Sequence, residues 1–199
     1  MNIKNPEQER HRSIILIVAV LTALLTTFTA SALNLSIPSI DVEFRAGATA
    51  IGWVISGYIL AAAACSVPFG RLADLKGREK VLKAGILAFS VCSGAICFAQ
   101  SIEILLLLRI FQGIGAAMLF ATNQAALISA FPPEKRGRVL GYLIAATYTG
   151  LTAGPVLGGI LNHSFGWRSI FVLTFVAGVI TFVLSMKGAF PCIISKTLS

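Results

Sequence analysis

Few side chains in this sequence could do chemistry, and those that could are charges and glycines set in apolar surroundings. Arg109 is the only charge between Ile104 and Pro133. It lies about seven residues inside an apolar helix, ~10 Å deep at about 1.5 Å per residue. Gln112 and Gly113 follow three and four positions on and share its helical face. An arginine at that depth is expensive, so it faces a water-filled cavity or a partner, or else snorkels to the headgroups. The chemistry it offers is charge handling, not bond-making. A second group sits in a short charged loop: Asp74, Arg78 and Lys80, with Gly70 and Gly77 around them. A third is the stripe Gly150, Gly154 and Gly158, with Pro155 and Gly159 beside it. Four-residue spacing lets another helix approach closely, and the proline removes one backbone hydrogen bond.

Other chemistry finds no residues to carry it. Cys65, Cys92 and Cys97 fall in apolar stretches and Cys192 near the carboxyl end, with no paired or zinc-like spacing. His11 and His163 stand alone. Gly113-Ile114-Gly115 has Met118 where a dinucleotide fingerprint needs its third glycine. The expectation is no enzyme, no cofactor and no metal.

The elements that must position these residues are transmembrane helices. Of 199 residues, 56% are hydrophobic and 12% charged, about half the charged share of a soluble domain. Uncharged stretches recur that can each supply the roughly 20 apolar residues needed to cross about 30 Å of hydrocarbon. They predict an all-α membrane protein with six spans, approximately 13–37, 49–69, 82–99, 103–129, 138–161 and 168–186, with a turn near Asn162-His163-Ser164. Residues 1–12 and 187–199 are read as tails. The alternating polarity of membrane strands is absent. Arg12, the run Ile14–Phe28 and Ala30-Ser31-Ala32 imitate a signal peptide, but the run continues to Ile37, too long for one.

Charge orients the bundle. Thirteen of the sixteen cations fall on the side of the two tails and the loops after spans 2 and 4, against Arg45 and Arg168 on the other. The positive-inside rule therefore predicts both termini in the cytoplasm. The net charge of +8 suits anionic headgroups. It does not suit nucleic acid, because the cations sit in separate loops and not on one face.

Four segments carry a family resemblance. Gly70-Arg71-Leu72-Ala73-Asp74-Leu75-Lys76-Gly77-Arg78-Glu79-Lys80 resembles the loop between helices 2 and 3 of the major facilitator superfamily. Leu108-Arg109-Ile110-Phe111-Gln112-Gly113-Ile114-Gly115 resembles its helix 4 motif. Gly150–Gly159, GLTAGPVLGG, is similar to the helix 5 motif of its drug:proton antiporters. Asn34-Leu35-Ser36-Ile37-Pro38-Ser39-Ile40 resembles the end of helix 1 in the multidrug branch. Trp53, Tyr58 and Gly166-Trp167-Arg168 with Phe171 fit the same pattern.

The resemblance implies one half of a fold built from 3+3 inverted repeats, exporting hydrophobic or cationic compounds in exchange for protons. It assigns Arg109, Gln112, Asn34 and Tyr58 to the cavity and proton coupling. Gly70, Asp74, Gly77, Arg78 and Lys80 become a gate loop. The glycine helix becomes a contact with an opposite six-helix half. Three departures qualify this. Thr29 stands where the branch often has an aspartate, and no acidic residue lies in any predicted span. Glu79 replaces an expected base, with Lys80 as a substitute. The chain carries six spans where the family has two such halves, and its tail Phe190–Lys196 does not read as an inter-half linker. Two alternatives stay open: a facilitator of another substrate class, such as a sugar or organic anion, and an assembly subunit or non-functional remnant.

The orientation predicts a labelling pattern in intact cells once the native cysteines are removed. Glu7→Cys, Lys80→Cys and Lys135→Cys should be shielded from an impermeant thiol reagent, while Asp41→Cys and His163→Cys react. Labelling of Lys80→Cys from outside would invert the topology.

Overall fold

The computed structural model describes residues 6–187, with side chains from 9 to 186. The expectations placed on Cys192 and the tail Phe190–Lys196 lie outside the described residues. Six helices follow in chain order: α1 (Pro6–Phe44), α2 (Gly47–Lys76), α3 (Arg78–Ile96), α4 (Ile102–Ala130), α5 (Pro133–Phe165) and α6 (Arg168–Lys187). No strand occurs among the described residues. Five of the helices are long and apolar enough to cross a membrane. The exception is α3, whose first turns carry Arg78, Glu79, Lys80 and Lys83. Six spans were expected. The charged start of α3 leaves its 19 residues too short of apolar length to qualify.

Helix ends differ from the apolar boundaries because a helix is closed by backbone geometry, not by polarity. α1 runs past the expected 13–37 at both ends and carries Pro38 within it. The turn expected at Asn162-His163-Ser164 is not there: α5 continues to Phe165, and the Gly166 N–H bonds to the Asn162 carbonyl at 3.0 Å. Those polar residues tolerate helix. The residue able to take a φ of 79° is Gly166, so the chain turns there. α3 stops at Ile96, short of 99, and its last turn tightens: Cys97 N–H bonds Gly94 O at 3.2 Å and Phe98 N–H bonds Ala95 O at 3.0 Å. Between α2 and α3 a single residue, Gly77 at φ 97°, reverses the chain. The Ser101 hydroxyl caps α4 by accepting from Ile104 N–H, and Pro133 opens α5 where its missing N–H has no helical partner to lose.

Short connections make successive helices antiparallel. α1 lies along α5, α4 sits between α2 and α3, and α6 covers α3 and α1. The α1–α5 contact is the tightest. A Cβ on Gly150 would strike the Thr27 hydroxyl and lie 2.7 Å from the Leu24 carbonyl oxygen. One on Gly154 would lie 2.7 Å from Ser31 Cβ, and one on Gly158 2.6 Å from Ala32 Cβ. The glycine stripe is therefore filled by α1 of the same bundle, which corrects the expectation that it meets an opposite half. The proline joins in. Pro155 cannot donate to the carbonyl of Leu151 one turn back, and Ser31 Oγ donates to that carbonyl at 2.8 Å instead. A helix weakened by its own sequence is thus completed by its neighbour. Gly159 stands off the stripe, with only Leu35 Cδ1 at 3.4 Å.

This geometry separates two substitutions of the same kind. Gly154→Leu should destabilise the bundle by about 2 kcal/mol through overpacking, and Gly159→Leu by under about 0.5 kcal/mol, since its Cβ meets only an ordinary contact with the flexible end of Leu35. Unfolding in mixed micelles followed by circular dichroism measures both, and equal effects would show that the stripe does not set the α1–α5 distance.

Candidate functional site

Arg109, 1% exposed, is among the largest fully buried side chains of the bundle. Its Nη1 donates to Gln112 Oε1 at 2.6 Å; Gln112 Nε2 donates to Ser93 Oγ at 2.7 Å; and Ser93 Oγ donates to the Phe89 carbonyl at 2.7 Å. A polar thread thus runs from α4 into α3. The guanidinium carbon lies 4.1 Å from the centroid of the Tyr58 ring on α2 and 6.0 Å from that of Phe171 on α6. No carboxylate among the described residues pairs with it. A hydrogen bond to a charged group is worth about 1.5–3 kcal/mol and a desolvated cation–π contact about 2 kcal/mol. Together these offset a burial penalty of several kcal/mol, but with little to spare. Arg109 Nε and Tyr58 Oη have no partner among the described residues. Snorkelling is ruled out by this burial. The rings of Tyr58 and Phe171 pack against the guanidinium.

Gly113 makes the stacking possible. A Cβ there would collide with the Tyr58 carbonyl oxygen and lie 3.0 Å from Ala61 Cβ. The missing side chain lets α2 come close enough to set the Tyr58 ring on the guanidinium. The sequence marks Gly113 only as sharing Arg109's face, because its partner is on another helix.

A cavity of about 360 Å³ opens between α1, α2, α4 and α5. Its walls include Thr26, Thr27, Tyr58, Ser66, Phe120 and Leu151. Tyr58 thus has one side of its role in the wall and the other on Arg109. Asn34 is exposed, two turns beyond Thr27 on the same face of α1, and does not line this cavity. Thr26, Thr27 and Ser66 are absent from the sequence-level site because hydroxyls in an apolar helix carry no distinctive pattern. Thr29, where an aspartate was expected, is fully buried; its hydroxyl donates to Leu25 O at 2.8 Å and lies 3.0 Å from Thr174 Oγ1. That position is a contact between α1 and α6.

The charged loop is organised within itself. Arg78 Nη2 lies 3.1 Å from Asp74 Oδ1, and Arg78 Nη1 donates to the Ala125 carbonyl of α4 at 3.1 Å. Arg78 thereby fastens the start of α3 to α4. Glu79 pairs with Lys83 at 2.6 Å, not with Lys80, which is exposed and forms no ion pair among the described residues. Gly70 borders the loop with open space around it. At the opposite end, Glu43 is a centre that the sequence reading missed. Its carboxylate accepts from Trp167 Nε1 at 2.7 Å and lies 2.6 Å from Arg168 Nη2, while Arg168 also donates to the Cys97 and Ala99 carbonyls. The pair is half-exposed and worth about 0–1 kcal/mol by itself. The carbonyls of the α3–α4 turn give Arg168 its fixed place.

A sequence profile of the Major Facilitator Superfamily matches residues 19–190. The riboflavin transporter RibZ of Clostridioides difficile (strain 630) is 32% identical over 178 residues, covering 89% of this chain and 39% of that protein. Multidrug resistance protein Stp of Mycobacterium tuberculosis is 36% identical over 154 residues, covering 77% of this chain and 29% of Stp. The methylenomycin A resistance protein of Streptomyces coelicolor is 31% identical over 173 residues, covering 84% and 36%. The chain spans about a third of the length of these curated relatives. The proton:xylose symporter XylE, solved with 6-bromo-6-deoxy-D-glucose, superposes with a TM-score of 0.80 at 15% identity, over 90% of this chain and 45% of that one. That likeness establishes the fold: a six-helix bundle matching about half of a transporter.

If Gln112 holds the buried cation, Gln112→Leu should lower stability in mixed micelles by about 2 kcal/mol. Ser93→Ala, one bond further from the charge, should cost about 1 kcal/mol. A neutral Gln112→Leu would mean that the ring of Tyr58 alone retains Arg109.

Proposed function

Since the chain belongs to the Major Facilitator Superfamily, we propose that it forms the amino-terminal half of a proton-coupled exporter of hydrophobic compounds. It is a multi-pass membrane protein of a transporter family and not an enzyme. The observation that carries the finer reading is Arg109, a buried cation with no carboxylate beside it among the described residues. In low dielectric such a charge lowers the proton affinity of any acid brought near it. A carboxylate from a second six-helix half would bind its proton when the halves part and lose it when they close over the Tyr58 wall, with Arg109 acting through the low dielectric behind that ring and not by contact. Each cycle then couples rocking of the halves to proton movement. The wall made by α1, α2, α4 and α5, with its cavity, would be the surface that the solute meets.

On this reading Asp74, Gly77 and Arg78 form a gate on the cytoplasmic side, both termini are cytoplasmic, and the membrane is the plasma membrane. Export of drugs is supported by the GLTAGPVLGG segment and by the names of Stp and the methylenomycin A resistance protein. A second reading, in which the solute is riboflavin or a compound like it, is favoured by the 32% identity to RibZ over 89% of the chain.

The test is reconstitution. The chain alone in proteoliposomes should give no pH-gradient-driven transport of an Stp substrate. Joined to the remainder of Stp, it should transport that substrate, and Arg109→Ala should reduce the rate by at least about a hundredfold while insertion is unchanged. Gradient-driven transport by the chain alone, or a joined protein indifferent to the pH gradient, would overturn the proposal.

A further inference from the structure

We propose that Trp167, anchored by Glu43 and Arg168 at the end of the bundle opposite the charged loop, is a positioning residue for Arg109. It does this by fixing Phe171, the second ring against the guanidinium. The inference rests on the coupling role proposed for Arg109, and it adds residues that act on that cation without touching it.

The chain of contacts is short. The guanidinium carbon of Arg109 lies 6.0 Å from the Phe171 centroid. Phe171 is fully buried and meets Trp167 edge-on, with centroids 6.0 Å apart and planes at 85°. Trp167 Nε1 donates to Glu43 Oε2 at 2.7 Å, and Arg168 Nη1 donates to the same oxygen at 2.9 Å. The Arg168 guanidinium also lies over the indole, 4.4 Å from its centroid. Two carbonyls of the α3–α4 turn, Cys97 and Ala99, fix Arg168 in turn at 3.2 and 3.0 Å. Leu105, one turn before Arg109 on α4, belongs to the same apolar cluster as Trp167 and Phe171. That cluster therefore reaches the root of the arginine.

Packing alone does not call for this arrangement. The cluster of Leu33, Ile40, Val54, Leu105 and Phe171 asks for a large ring at position 167, and phenylalanine would supply one. Tryptophan adds an N–H at 2% exposure, costly unless it is bonded, and Glu43 bonds it. What the bond adds is direction, since an edge-to-face pair holds only while both rings keep their tilt. The need for direction lies at Arg109. Its long side chain has many rotamers, and one hydrogen bond from Nη1 to Gln112 and two rings hold it. If Phe171 tilts, the guanidinium gains room to withdraw from Tyr58 or to take up water. Its field at the cavity wall then falls. Tyr58 is the titratable side chain that faces Arg109. Glu43 faces Arg168 from α6, with the Cys97 thiol beyond it and Asp41 and Arg45 two residues to either side in sequence.

Two measurements test this. The first is a stability cycle on the full chain, unfolded in mixed micelles and followed by circular dichroism. No hydrogen bond or ring contact joins Trp167 to Arg109 among the described residues, so independent substitutions should add. Instead, the cost of Trp167→Phe should fall by at least about half in an Arg109→Gln background. That coupling should vanish in a Phe171→Leu background. Additive costs would overturn the inference. The second is the rate against pH, at a fixed pH difference, of the chain joined to the remainder of Stp. A weaker field lets the partner carboxylate keep its proton to higher pH, so the acid limb should move up by about half a unit in Trp167→Phe and in Glu43→Leu. Glu43→Gln still accepts from the indole and should move the limb less than half as far. If Trp167→Phe does not fold, Glu43→Leu decides, since that side chain is half-exposed. A limb that stays in place would overturn the inference. A coupled stability cycle beside a joined protein indifferent to the pH gradient would keep Trp167 as the positioning residue and sink the coupling role alone.

Discussion

Inside a bilayer no water is available to satisfy a polar group, so every donor and acceptor must find its partner within the bundle. Most of the polar side chains obey this in the simplest way. Thr22, Thr26, Thr27, Thr29, Ser90, Ser93, Thr122 and Thr174 each donate to a carbonyl one turn back on their own helix. Ser31 extends the rule across helices, by serving the carbonyl that Pro155 leaves unbonded. Against that background the exceptions carry information. Ser36 Oγ, Asn162 Oδ1, Tyr58 Oη and Arg109 Nε are buried without partners among the described residues, the last two on side chains that touch each other.

How much of this was legible beforehand follows from which interactions are local. Apolar stretches define six helices because each must satisfy its backbone alone, a property of the segment itself. Arg109 with Gln112 was legible for the same reason: three residues on one helix place them together whatever surrounds them. Tyr58 over Arg109 was not, since it depends on α2 approaching α4 at Gly113. The glycine stripe was read as an interface, but its partner was misassigned. Spacing declares that something comes close and not which helix it is. Glu43 escaped notice because an acid near a helix end is ordinary until Trp167 and Arg168 are brought to it from over a hundred residues away. The helix ends were misplaced where polarity and backbone conformation disagree, as at Asn162-His163-Ser164, where only Gly166 could turn the chain.

The assignment of the stripe to α1 changes what can move. Gly150, Gly154 and Gly158 lock α5 onto α1 at backbone contact distance, and Ser31 bonds across the seam. Arg78 locks α3 to α4, and Arg168 ties α6 to the α3–α4 turn and, through Glu43, to α1. Such contacts are lost abruptly when helices separate, because packed interfaces do not deform continuously. A bundle tied in this way at both ends and along one seam is suited to rotate as a single body. Sliding then falls to surfaces without close packing of their own, such as the exposed faces of α2 and α5 around Ile59, Leu60, Tyr148 and Val156. The cavity adjoins the first of these, since Ile59 lines it. Motion at that face would therefore reshape the cavity while leaving the Arg109–Gln112–Ser93 thread, which lies within the rigid body, undisturbed. If Arg109 is the coupling charge proposed above, it has to stay fixed while its partner approaches and leaves, and burial within the tied part of the bundle supplies that fixity.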